Sequence, residues 1–143
     1  MLLRVPRAEL PRSRGNAKPE ALAMEKAVCR LLREHYGKSN VLMACDLGLP
    51  EHIPFDLVAR VGNSIWLVEV KRHPPKVPPR QKQRMAELLE YLEGGAEFVP
   101  LLAVVNLSTG DCTIKTFPTE YSGEDNLAAV AKRLALFARR EAE

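Results

Sequence analysis

A chain of 143 residues, 46% hydrophobic and 27% charged, fits one globular domain large enough to bury a core. Its net charge of +3 permits nucleic acid as a partner without demanding it. The apolar runs are too short to cross a bilayer and the start lacks a signal-peptide core. Three widely spaced cysteines suggest neither a disulfide framework nor a zinc knuckle, so a cytoplasmic protein with no membrane partner is expected.

Residues 1–18 carry Arg4, Arg7, Arg12, Arg14 and Lys18 against Glu9 alone, with Pro6, Pro11 and Gly15-Asn16 among them. They show no sustained period and read as a mobile basic arm, leaving 19–143 as a single domain. Pro19 is a good first helical position and Gly37 a good C′ residue. The stripe Leu22, Glu25, Cys29, Leu32 and Tyr36 between them follows one helix face. Cys29 and Cys45 lie in apolar runs, where buried thiols are the usual outcome.

A strand over 41–45 and a loop over 46–54 should follow. Residues 55–61 and 64–72 read as two strands joined by Gly62-Asn63, a hairpin turn of the glycine-first kind. A proline-rich loop leads to a second helix over 80–93, ending at Gly94-Gly95, whose inward stripe is Gln81, Met85, Leu88 and Leu92. An apolar strand over 98–107 turns at Ser108-Thr109-Gly110 and returns over 112–117. A last helix over 124–138 would turn Leu127, Val130, Ala131, Leu134 and Phe137 or Ala138 inward. The expected fold class is α/β, one mixed sheet flanked by helices, with a right-handed crossover through the second helix.

The hairpin brings the chemistry together. A two-residue turn places Val61 opposite Ser64, Val58 opposite Leu67 and Asp56 opposite Glu69, while strand alternation puts Lys71 on the face of Glu69. Two carboxylates set opposite each other repel, and burial between apolar neighbours sharpens the cost. Lys71 offsets part of it. A divalent cation offsets more, and paired carboxylate oxygens suit Mg²⁺ or Mn²⁺. The plainer alternative is an exposed hairpin face on which charges alternate with core residues.

Pro54-Phe55-Asp56 followed by Glu69-Val70-Lys71 resembles the PD-(D/E)XK signature of restriction-endonuclease-like nucleases, nearest the Holliday-junction-resolvase-like and RecB-like branches. The element order over roughly 20–107 is similar to that family's αβββαβ core. Here Phe55 separates the proline from the aspartate, and the Arg and Ser that archaeal junction resolvases usually carry before it are missing between 41 and 54. The resemblance implies a metal-dependent endonuclease hydrolysing phosphodiester bonds in DNA, branched or structured DNA included. It implies Asp56 and Glu69 as metal ligands with the Val70 carbonyl, and Lys71 as the group that orients water or stabilises phosphate charge. Glu25 resembles the helix-borne glutamate that holds a metal or its waters. Gln81 resembles the glutamine on the helix after the signature strand.

Lys71, Arg72, Lys76, Arg80, Lys82 and Arg84 form a run without an acid and could follow a nucleic-acid backbone. Cutting both strands of a duplex would favour a homodimer. A non-catalytic nucleic-acid-binding module on the same fold is the chief alternative. A partner-binding subunit using Leu134 and Phe137 of the last helix is a third. His35, His52 and His73 lack zinc-ligand spacing, and glycine-rich phosphate loops and serine nucleophile elbows are absent.

Overall fold

The computed structural model of the chain describes residues 1–11, 17–49, 53–92, 96–119, 131 and 134–139. Eight elements carry the fold: β1 (Leu2–Arg4), α1 (Ala17–Tyr36), β2 (Val41–Met43), β3 (Leu57–Val61), β4 (Ser64–Arg72), α2 (Pro79–Tyr91), β5 (Glu97–Val105) and β6 (Asp111–Thr116). The strands form one curled, mixed sheet in the order β1-β6-β5-β4-β3-β2. Only β4 and β5 run parallel, joined through α2; the other neighbours are antiparallel. The expected mixed α/β sheet and the run α1-β2-β3-β4-α2-β5 are therefore present.

The β3–β4 hairpin has the expected register, from Val61 opposite Ser64 to Leu57 opposite Val68. Gly62 has a φ of 60°, the left-handed value that a glycine-first turn needs. Strand alternation divides the core. Ala59, Val68 and Val70 join Met24, Ala27, Val28, Leu31 and Leu32 of α1 in one layer, and Tyr36 meets Trp66 edge to face at 5.2 Å. Leu67, Leu102 and Val104 join Phe55, Met85 and Phe117 in the other. Met85 is fully buried and Leu88 and Leu92 pack beside it, so the inward stripe of α2 is as expected; Gly94 and Gly95 lie outside the described residues.

Four expectations change. Residues 2–4 are not part of a mobile arm: β1 pairs with β6, Leu3 and Val5 are buried, and the Val5 amide donates to the Gly110 carbonyl at 2.7 Å. A Cβ on Gly110 would come within 2.6 Å of the Val5 carbonyl oxygen, so this close approach requires glycine. The buried face of α1 is also broader than the expected stripe: Cys29 and Leu32 are buried and Tyr36 packs on the core as expected, but Met24, Ala27, Val28 and Leu31 are buried too and Leu22 is exposed. Glu20, expected outside the stripe, is buried and accepts a 2.8 Å hydrogen bond from Arg72, tying the first turn of α1 to the end of β4.

Finally, residues 131 and 134–139 are helical, but Ala131, Leu134 and Phe137 are exposed rather than turned inward. Leu127 and Val130 lie outside the described residues. Among the described residues, no helix is long and apolar enough to cross a membrane.

Candidate active site

Asp56 lies one residue before β3, where the main-chain ladder stops and the side chain takes over. Its amide donates to the Val68 carbonyl at 2.8 Å, and its carbonyl accepts from the Ala44 amide at 2.8 Å. Its carboxylate Oδ2 accepts the Val70 amide at 2.8 Å. The aspartate is thus fixed at both main chain and side chain, between the two neighbouring strands. In a strand, the amide and carbonyl of one residue point to the same edge, so the Val70 carbonyl faces the side on which Asp56 sits.

Glu69 follows Leu67 on the α2 face of β4, and Lys71 comes next on that face. Glu69 is only 8% exposed. Lys71 Nζ stands 3.6 Å from Glu69 Oε1. Gln81, on the first turn of α2, donates to the Glu69 carboxylate. Glu25 reaches across from α1 and shares a hydrogen bond with Asp56. All five residues singled out for catalysis therefore meet around Asp56, drawn from α1, the entry to β3, β4 and α2.

The electrostatics follow from burial. Desolvation pushes the Glu69 carboxyl up to about 8, with the Asp56 charge adding to the rise and Lys71 and Gln81 opposing it. Desolvation and then Asp56 raise Glu25 to about 7. Asp56 is also raised by desolvation, against the hydrogen bonds it accepts from Val70, Glu25 and Glu69. In this arrangement Asp56 is the shared acceptor, and burial favours the protonated form of the two glutamates beside it.

A hard divalent ion suits this donor set, which is all oxygen. Among the described residues no three His, Cys, Asp or Glu side chains close around one point. Asp56 and Glu69 are therefore the pair that could hold an ion directly, with Glu25 behind Asp56. Such a shell matches the habit of Mg²⁺, which takes one or two carboxylates and fills its remaining positions with water and substrate phosphate. Beside the acids opens a cleft of about 240 Å³ lined by Glu25, Met43, Ala44, Cys45, Leu49, Ile53, Phe55 and Asp56. Cys45 is exposed in it, against the expectation of a buried thiol, because β2 ends at Met43 and a short 3-10 turn lifts residues 44–47 off the sheet. Cys29 is buried as expected.

The basic run scatters. Lys71 faces the acids, whereas Arg72 alternates to the α1 side and is engaged by Glu20. Lys76 and Arg80 are exposed, Lys82 lines a separate hollow with Lys115, and Arg84 is half-buried on α2. Missing from the sequence reading was a second group of cations, Lys26, Arg30, Arg33 and Lys38. The spacing of Lys26, Arg30 and Arg33 along one helix was the available signal. No protein-family model matches the chain, and no curated protein sequence matches it.

Proposed function

We propose that the chain is a divalent-metal-dependent nuclease of the PD-(D/E)XK, restriction-endonuclease-like kind, hydrolysing phosphodiester bonds in DNA with Mg²⁺ or Mn²⁺. The observation that carries this reading is the convergence of Asp56, Glu69 and Lys71 at the mouth of one hairpin, with Glu25 and Gln81 brought in from two helices. The order α1-β2-β3-β4-α2-β5 supports it, being that of the family's αβββαβ core.

Asp56 and Glu69 would hold the ion, with the Val70 carbonyl on the same edge. The bound ion would supply Lewis-acid polarisation of the phosphate and a more acidic water. Asp56 arrives preorganised by the Val70 amide, so little is lost in ordering it. Gln81 holds the Glu69 carboxylate in place and favours its ionised form. Lys71, half-buried beside Glu69, presents an ammonium where negative charge builds on the phosphoryl oxygens in the transition state. Glu25 is positioned to accept or return a proton close to neutral pH, since its carboxyl titrates at about 7.

The test is cleavage of single-stranded, duplex, flapped and four-way DNA by wild type and by Asp56→Asn, with Mg²⁺ or Mn²⁺. Asparagine retains an acceptor for the Val70 amide, so the fold should stand while cleavage falls at least 10³-fold and DNA binding persists, since a directly coordinating charge is gone. Equal cleavage by the two proteins would refute the assignment. Binding of DNA without cutting under any metal would favour the non-catalytic module.

A further inference from the structure

A groove of about 520 Å³ lies beside the acid cleft. Its walls carry Lys26, Arg30 and Arg33 from α1 and Lys38 from the turn that follows, with Glu34 as the one acid; Cys29 and Met43 lie at its base. Met43 also lines the cleft that contains Glu25 and Asp56, so the groove and the cleft adjoin. Lys26, Arg30 and Arg33 recur at steps of four and three residues and so share one face of the helix. At 1.5 Å per residue they span about 10 Å, the length of about three nucleotide steps along one strand. Arg33 is held in place, its Nε donating to the Val41 carbonyl at 2.9 Å. Arg30 is fixed to Glu9 at 2.6 Å.

We infer that this groove on α1 is the track for the phosphodiester backbone of the nucleic acid, which it leads to the acids at Asp56. The inference rests on the nuclease reading and deepens it, by placing the substrate strand on α1 rather than on the scattered cations that follow β4. Lys26, Arg30, Arg33 and Lys38 outnumber Glu34 and the Glu9 that pairs with Arg30, so the groove keeps an excess of positive charge that complements a polyanion, and the acids next to it repel one unless an ion is bound. The groove therefore supplies the attraction and the acid cleft the chemistry. Contacts of this kind carry affinity and salt dependence rather than base readout.

The experiment compares Asp56→Asn protein with the same protein carrying Lys26→Gln and Lys38→Gln, both replaced lysines being exposed. Binding of a fluorescein-labelled 20-nucleotide DNA, single-stranded and duplex, is followed by anisotropy between 50 and 300 mM salt. The double replacement should weaken binding about 10-fold at the lower salt and reduce the slope of log K against log salt by about 1.5 to 2. Lys115→Gln, in a hollow on the α2 face of the sheet, serves as the control for loss of a positive charge away from the groove and should leave both unchanged.

An unaltered slope and affinity in the double variant overturns the inference. So does an equal loss in the Lys115 control, and so does a parent that binds no DNA at 50 mM salt. Failure of the nuclease reading is seen separately, as no cleavage by wild type with Mg²⁺ or Mn²⁺, and does not alter how the binding data are read.

Discussion

Replacing Glu69 with glutamine removes an ionisable carboxyl packed beside Asp56 while keeping the size of the side chain. In the folded chain the Glu69 carboxyl is displaced from 4.5 to about 8. At about 1.4 kcal/mol per pH unit, this corresponds to roughly 5 kcal/mol against folding once Glu69 ionises, a large share of a typical domain's stability. Because the folded-state pKa lies above the unfolded one, the folded chain binds this proton more tightly. The stability it contributes is complete below about pH 4.5 and is lost as pH rises through about 8.

The assay is urea unfolding at pH 6 and pH 9 in EDTA. Wild type should lose several kcal/mol across that interval, and Glu69→Gln distinctly less, with Glu25 still contributing a smaller loss in the same direction. Millimolar Mn²⁺ should restore wild type at pH 9 and leave the variant nearly unmoved, since binding to the native state alone raises stability. Parallel pH profiles for the two proteins, or a variant less stable than wild type at pH 9, would refute the reasoning.

Lys71→Met keeps the stem and removes the ammonium; kcat should fall 10²- to 10³-fold with DNA affinity little changed, as measured by single-turnover cleavage and anisotropy. Gln81→Ala removes the hydrogen bond that favours ionised Glu69, so Mn²⁺ affinity by calorimetry should drop about 10- to 100-fold. Deleting residues 1–5 strips Leu3 and Val5 from the core and exposes the edge of β6. A loss of about 3–5 kcal/mol in urea unfolding, with a greater tendency to aggregate, is expected.

The acid pair could be read from sequence because a hairpin is local. Gly62-Asn63 sets the register, and period-two alternation then places Asp56, Glu69 and Lys71 by counting. Gln81 and Met85 were legible for the same reason, being positions on one helical stripe. Features that depend on distant pairing were not. Residues 2–4 carry no periodicity, and only the edge of β6, more than a hundred residues along, makes them a strand. The extra width of the buried face of α1, which takes in Glu20, depends on how Met24, Val28 and Leu31 seat on the sheet, which a helical wheel leaves open by one position either way. A charge run in sequence proved a poor guide to a charged surface. The cations at 71–84 are divided between two faces of β4 and the helix that follows, whereas those of α1 share a groove.

The account turns on whether neighbouring strands hold a divalent ion between Asp56 and Glu69. Crystals grown with Mn²⁺ and measured for anomalous scattering give the most direct answer. The prediction is a peak in direct contact with one carboxylate oxygen from each residue, absent from Asp56→Asn crystals grown in the same way. Crystals saturated with Mn²⁺ that show no peak there, with Glu69 still turned to Lys71 and Gln81, would contradict it.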